Sequence, residues 1–260
     1  AFYDGAQWSP PAAAPIPAYS VPKEDGAAEP LMALPQIVSD GQVNVHALWL
    51  TEPGAARRRA LLHARLSLSS TVWSAASEVA SDVAGWAVAT DVPGRVDLLV
   101  VRNIPAEGVV RGELAYTHTL PGGVSWMPVQ TVLYASDDEL PLADGATLSL
   151  AAESGGGLVA AWSDPVTHTL RVCTSGDGGQ TWNAPVLIQD PVHLPYDPHV
   201  VWLGGSSFAL LWQSADRMAP AGWYQQLSVD GGQSWGEPAR VLPVDSPAGD
   251  LRLLGSSAGL

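Results

Sequence analysis

Ser175-Gly176-Asp177-Gly178-Gly179-Gln180-Thr181-Trp182 returns 53 residues later as Ser228-Val229-Asp230-Gly231-Gly232-Gln233-Ser234-Trp235. Both stretches read Ser-x-Asp-x-Gly-x-(Ser/Thr)-Trp, so five of eight positions are held. Similar tails follow, Asn183-Ala184-Pro185-Val186 and Gly236-Glu237-Pro238-Ala239-Arg240-Val241. A period of this size marks a chain built from repeated supersecondary units. The residue types suit a tight turn. Asp and Ser side chains accept hydrogen bonds from nearby backbone amides, and Gly takes a positive φ without a steric penalty. The Trp is large enough to anchor such a turn on an apolar surface.

Weaker copies lie upstream. Thr119-Leu120-Pro121-Gly122-Gly123-Val124-Ser125-Trp126 keeps the Thr, Gly, Ser and Trp but has Pro121 in place of Asp, and Ser67-Leu68-Ser69-Ser70-Thr71-Val72-Trp73 keeps little beyond the Trp. Trp73, Trp126, Trp182 and Trp235 follow one another at steps of 53, 56 and 53 residues. A second series of turn signals runs alongside, at Asp40-Gly41, Pro93-Gly94, Gly155-Gly156-Gly157, Gly204-Gly205 and Gly255-Ser256. The first four precede apolar runs at Val45–Trp49, Val96–Val100, Leu158–Trp162 and Phe208–Trp212. Short apolar runs bounded by Gly, Pro, Asp and Ser read as strands, and continuous ones as strands buried on both faces. The third repeat therefore reads as strands over 147–152, 158–163, 167–174 and 184–189, and the fourth over 199–203, 207–213, 222–228 and 239–243. The Ala-, Arg- and Leu-rich stretch Ala55–Ala64 alone competes as a helix, and the repeat register assigns its second half to a strand.

The paired motif resembles the Asp-box (BNR repeat) of sialidase-like β-propellers, where it occupies the turn between the third and fourth strands of a blade. The resemblance implies an all-β propeller of four-stranded antiparallel blades over residues 31–260. The blades would span about 31–82, 83–136, 137–192 and 193–245, with 246–260 opening a fifth. At about 50 residues per blade, four blades and a stub fall short of a six-bladed ring. Either the natural polypeptide is longer, which is the favoured expectation, or the ring is unusual, or another chain completes it. In this reading Ser175, Asp177, Gly179, Thr181, Trp182, Ser228, Asp230, Gly232, Ser234 and Trp235 form structural Asp-boxes, with no catalytic part.

Composition narrows the function. The net charge is −14 with only 12 basic residues, which excludes the Lys/Arg clusters that nucleic acid and anionic membranes select. Arg57-Arg58-Arg59 is the one basic run and reads as a local loop feature. Hydrophobic content of 47% suffices for a large core, and 26 Gly with 22 Pro suit a turn-rich β fold. Of the 11 Trp, most recur at repeat positions; Trp8, Trp86, Trp202 and Trp223 do not, and one of them is a candidate sugar-stacking platform. The single Cys173 has no partner for an internal disulfide. No stretch reaches the roughly 18 to 20 apolar residues of a membrane-spanning helix. The acidic charge, low lysine and Asp-box resemblance point to a secreted, periplasmic or cell-surface protein with its leader removed. Residues 1–30 read as an extended Pro-rich arm, with Phe2, Tyr3 and Trp8 as a candidate partner-binding tip.

The resemblance also allows a test for catalysis. Sialidases grip the substrate carboxylate with three Arg, the first in a Tyr/Phe-Arg-Ile-Pro motif. Here the corresponding stretch is Met32-Ala33-Leu34-Pro35, and Ala33 cannot supply bidentate hydrogen bonds to a carboxylate. Val101-Arg102-Asn103-Ile104-Pro105 looks similar but lies in the wrong repeat. Asp137-Asp138-Glu139 reads as a solvated turn. His193-Leu194-Pro195-Tyr196-Asp197-Pro198-His199 gathers two His and an Asp without the third His that a zinc site favours. The expectation is a non-catalytic module without metal or cofactor, binding a protein in an extracytoplasmic complex or a surface glycan. The alternative expectation is an exo-glycosidase whose site residues lie partly outside this segment.

Overall fold

A computed structural model describes residues 13–16, 35–51, 59–106, 109–134, 146–164, 167–189, 194–215 and 221–243. Among these there is no helix. Sixteen strands form four antiparallel sheets of four, each in sequence order. Sheet 1 holds β1 (Gln36–Ser39), β2 (Asn44–Leu50), β3 (Leu61–Ser67) and β4 (Ser77–Ala80). Sheet 2 holds β5 (Val83–Ala89), β6 (Asp97–Ala106), β7 (Val109–His118) and β8 (Gln130–Tyr134). Sheet 3 holds β9 (Thr147–Ala152), β10 (Leu158–Asp164), β11 (Thr169–Ser175) and β12 (Val186–Gln189). Sheet 4 holds β13 (Pro195–Gly204), β14 (Ser207–Ser214), β15 (Gly222–Ser228) and β16 (Ala239–Pro243). The Leu-rich half of the stretch that competes as a helix is strand β3. The chain spacing is thus repeated in space, and the third and fourth strands of every sheet share a bulge at the same point of the repeat, at Leu61/Leu62, Leu114/Ala115, Leu170/Arg171 and Trp223/Tyr224.

The sheets stack face to face. Leu48, Leu50 and Leu61 meet Trp86, Leu98 and Val100 between sheets 1 and 2. Leu99, Val101 and Tyr116 meet Leu150, Leu158 and Trp162 between sheets 2 and 3. Val159, Ala161 and Val172 meet Phe208, Leu210 and Trp212 between sheets 3 and 4. Strands β6 and β10 are buried on both faces, which is why their sequences are apolar without alternation. The two end faces differ. On sheet 1, Ala47, Trp49 and Ala64 are covered by Ile16, Leu62 and Trp73. On sheet 4, Leu203, Leu227 and Leu242, which point away from sheet 3, are about half exposed (57%, 48% and 49%). The described sheets do not close into a ring.

The repeated eight-residue stretches are the β11–β12 and β15–β16 turns, and they hold the same bonds. The Ser175 hydroxyl donates to Asp177 Oδ1 (2.8 Å) and accepts from the Gly179 amide (2.9 Å); Asp177 accepts from the Thr181 amide (2.9 Å) and hydroxyl (2.6 Å). Ser228, Asp230, Gly232 and Ser234 repeat this pattern. Four donors around each carboxylate account for its acidity: the Thr181 and Ser234 bonds hold Asp177 and Asp230 at about 2. The Trp182 and Trp235 indoles donate to the Gly179 and Gly232 carbonyls (3.2 and 3.1 Å). In the degenerate copy Pro121 has no carboxylate to offer. The Thr119 hydroxyl instead accepts the Val96 amide (2.9 Å), and the Trp126 indole N–H is buried without a partner.

Each such turn reaches across to the sheet before it. A side chain on Gly123 would strike His46 of sheet 1, one on Gly179 would strike the Tyr116 ring of sheet 2, and one on Gly232 would strike Val159 and Thr174 of sheet 3. Trp126 stands edge-on to His63, and Trp182 edge-on to Tyr116. Buried polar groups fasten the same junctions. Asn44, held by Asp40, donates to the Gly122 carbonyl (3.1 Å) across the first junction, and the Tyr116 hydroxyl, which donates to Asp97 within sheet 2, lies 3.4 Å from the Gly178 carbonyl across the second; Arg95 also pairs Asp97 (2.7 Å). Tyr116 is consequently pushed above the usual phenol range by burial and by the Asp97 charge.

His46 Nδ1 and His63 Nε2 lie 2.8 Å apart at the first junction, both buried. Burial, and then the charges of His46 and Arg65, depress His63 to about 3; His46 is lowered for the first of these reasons too.

Two predictions follow from these junctions. Gly179→Ala puts a methyl group against Tyr116 at a φ of +90°, whereas Gly231→Ala at +78° meets nothing within 4 Å. Urea unfolding is expected to show a loss of at least about 2 kcal/mol for the first and about 1 kcal/mol for the second; equal losses would remove the role given to close contact. The histidine pair sets a pH dependence. A histidine depressed in the folded state is protonated first in the unfolded chain, so its contribution is complete above about 6.5 and is lost as pH falls toward 3. The urea midpoint should fall between pH 7 and 4.5, and His63→Gln should flatten that slope. An unchanged slope would show that the pair is not kept neutral.

Candidate functional site

The alternating strands divide the connections between two edges. One edge holds the β1–β2 and β3–β4 type turns of every sheet. All described glycines with positive φ lie there, including the motif glycines. The other edge holds the second-to-third strand connections and the links between sheets. All four described non-glycine residues with positive φ lie there: Asp82 (56°), His168 (53°), Leu194 (43°) and Asp197 (53°). Left-handed backbone at non-glycine residues is costly and collects where function retains it. The second edge is therefore the one to search.

At that edge, among the described residues, the start of β13 gathers Tyr196, Asp197, His199 and Gln213. The sequence places Tyr196–Pro198 in a loop before a strand that begins at His199. In the structure the strand begins at Pro195, and its pairing with β14 shifts between Tyr196 and His199. The bulge accommodates Pro198, which has no amide for the ladder, and turns Asp197 outward. The Asp197 carboxylate lies 3.3 Å from His199 Nε2 and 3.4 Å from Gln213 Nε2. Gln213, almost fully buried, accepts the Tyr196 hydroxyl on its other atom (2.7 Å). The His199 ring rests 5.7 Å from Trp223. From sheet 3, the Thr147 hydroxyl, 2.5 Å from that of Ser163, accepts the Asp197 amide (3.3 Å), and Ser149 accepts the Val200 amide (2.8 Å). The Asp197 side chain remains 43% exposed, and Tyr196 is 40% exposed. Burial and the neighbouring Asp197 charge raise the Tyr196 phenol, so it stays a neutral donor. The cluster thus offers an open carboxylate, a phenol ring and an imidazole on a buried amide support.

The arginines serve the scaffold. Arg102 forks onto Glu113 with its Nε at 2.6 Å, and Thr131 donates to the other Glu113 oxygen, so the look-alike of the sialidase motif is an internal ion pair. Arg65 donates to Asn44 (2.8 Å) and Arg240 to the Ala221 carbonyl (2.7 Å). Trp86 and Trp223 are buried, and the Trp202 ring packs partly buried against the sheet 3–4 core with its indole tied to the Gly205 carbonyl (2.8 Å). Ala33, Phe2, Tyr3, Trp8, Asp137–Glu139 and His193 lie outside the described residues. Cys173 is buried at the sheet 2–3 junction, which pushes its thiol pKa up and makes it inert. Among the described residues no group of three or more His, Cys, Asp or Glu gathers to hold a metal ion. Sequence reasoning flagged Asp197 and His199 but missed Gln213; the signal was a polar residue closing the otherwise apolar run Phe208–Trp212.

No protein-family model matches the sequence, and no curated protein matches it. Solved structures do resemble it. The sialidase NanB of Streptococcus pneumoniae aligns with a TM-score of 0.53 at 10% identity, over 80% of this chain and 51% of that one. An α-L-arabinanase of Penicillium chrysogenum, solved with arabinobiose, aligns at 0.51 and 16% identity over 76% and 63%. An α-L-arabinofuranosidase of Fusarium graminearum, solved with an iminosugar inhibitor, aligns at 0.51 and 16% over 80% and 65%. The chain spans between about half and two thirds of these proteins. At such identities the likeness shows the fold alone, and that fold is one that glycosidases use. At the level of the fold, these neighbours fit the glycosidase alternative better than the non-catalytic expectation.

Asp197 tests whether the strained edge is retained for function. Asp197→Gly relieves the left-handed strain, so the urea midpoint should hold or rise, by up to about 1 kcal/mol. A clear loss of stability would make Asp197 a structural residue.

Proposed function

We propose that the protein is a carbohydrate-active β-propeller of the glycosidase type, its four sheets being successive blades. The exposed face of sheet 4 receives a further blade. The Asp197 cluster is the glycan-contacting site. The observation that carries this reading is the open carboxylate held at positive φ on the strained edge, backed by Gln213, Tyr196 and His199. The three glycosidase likenesses support the class, since sugar sites in such folds are grafted on a shared scaffold.

Hydrolysis of a glycosidic bond ordinarily uses two carboxyl groups. Asp197 would supply one. Among its described contacts there is no second: Asp164 is buried and spends Oδ1 on the Thr167 amide and hydroxyl (2.8 and 3.2 Å). This favours, as a second reading, a glycan-binding module without turnover, acting in an extracytoplasmic or surface assembly. The low basic content and the Asp-box-like turns support an exported setting.

A panel of chromogenic and fluorogenic glycosides, assayed alongside binding to the parent oligosaccharides, separates the two. Turnover reduced at least about 100-fold by Asp197→Asn supports the glycosidase. Binding without turnover supports the module. Neither turnover nor binding across the panel rejects the site.

A further inference from the structure

We propose that the Pro-rich arm is a strap that caps the outer face of sheet 1, in the place that a preceding sheet holds elsewhere in the stack. The inference stands apart from the glycan reading. The second-strand tryptophans carry it. Trp162 of β10 lies among Leu99, Val101 and Tyr116 of sheet 2, and Trp212 of β14 among Val159, Ala161 and Val172 of sheet 3. Each looks back to the sheet before it. Trp49 of β2 looks back too, since Leu48 and Leu50 on either side of it face sheet 2 and side chains alternate along a strand. The described sheets offer Trp49 no neighbour, because the core clusters join them only in chain order. Trp49 is nevertheless 1% exposed, against 0% for Trp162 and 1% for Trp212, and Ala47 and Ala64 beside it are fully buried. An end face buried to that degree has a cover. Leu62 and Trp73 contribute from sheet 1 itself, and the described residue that arrives from outside the sheet is Ile16.

Ile16 belongs to a segment suited to lying flat. Ala14 and Ile16 are half-buried while Ala13 and Pro15 are exposed, so these residues run extended with alternate side chains toward the protein. The sequence around them, Pro10-Pro11-Ala12-Ala13-Ala14-Pro15-Ile16-Pro17, is stiff before it docks and loses little entropy on docking. Such a segment makes no hydrogen bonds within itself, which leaves its carbonyls as open acceptors. The face has donors to match: the indole N–H groups of Trp49 and Trp73 are buried without a partner. Aromatic-lined surfaces are the kind on which extended Pro-rich segments dock. A sheet joining the stack at this end would have to displace the strap.

The test uses the full chain, read by tryptophan emission and acrylamide quenching. Ile16→Asp places a charge against the Trp49 face and should release the strap, so emission shifts to the red and quenching rises while thermal unfolding stays cooperative. The shift should vanish when Ile16→Asp is made together with Trp49→Phe and Trp73→Phe. Ile16→Ala should act in the same direction by less, and it serves where Ile16→Asp fails to fold. A synthetic peptide of residues 10–18, added to the Ile16→Asp chain at about millimolar concentration, the level a short tether presents to its own site, should reverse the shift. The same peptide carrying Ile16→Asp should not. Unchanged emission and quenching in the folded variants overturn the strap. A red shift that the peptide leaves in place assigns the face to another occupant and overturns the role given to the Pro-rich segment.

Discussion

The fit of a side-chain-free glycine against the preceding sheet is the contact on which the stack depends. Gly123, Gly179 and Gly232 each sit where any Cβ would collide with a neighbour, and that neighbour always belongs to the sheet before. The adjacent Trp fills the space beside the contact, against His63 or Tyr116. Close approach of the turn lets the apolar faces meet over their full length, and dispersion between close-packed surfaces is lost steeply with separation. The Ser and Asp of the motif serve this end. Their bonds to backbone amides shape the turn so that its glycine points across the junction.

The third and fourth sheets use this device in full, the second in part. Where Pro121 replaces the acid, the Thr119 hydroxyl takes a different amide, and the junction relies on buried polar side chains. Asp40, Asn44 and Arg65 fasten sheet 1 to the Gly122 carbonyl, and the neutral His46–His63 pair fills the space beneath. Polar groups excluded from water must find partners within the fold. These junction clusters are the price of replacing a self-sufficient turn with a weaker one.

Left-handed glycines and left-handed non-glycine residues are separated between the two edges among the described residues. The glycine edge binds sheet to sheet and uses up Arg65, Arg95, Asp97 and Tyr116 in doing so. The opposite edge carries left-handed Asp82, His168, Leu194 and Asp197, none of which is explained by a steric need for small size. A rigid stack with strained connections along one edge is a platform for loops. A sialidase, an arabinanase and an arabinofuranosidase share this fold.

The chain's local signals were enough for the repeat, the strands and the turns. Turn chemistry acts over a few neighbouring residues, so Asp, Gly and Trp at fixed spacing announce a turn wherever they occur. Continuous apolar runs announce burial on both faces in the same local way. Which residues meet across sheets was decided only in three dimensions. Asp197 and Gln213 are brought together by a bulge that slips the strand register by one residue, and no local rule foresees that slip. The pairing of His46 with His63, the capture of Arg102 by Glu113 and the face on which Arg171 points depend likewise on register. A shift of one residue exchanges the two faces of a strand, so side-chain partnership is a property of the assembled sheet and not of either strand alone.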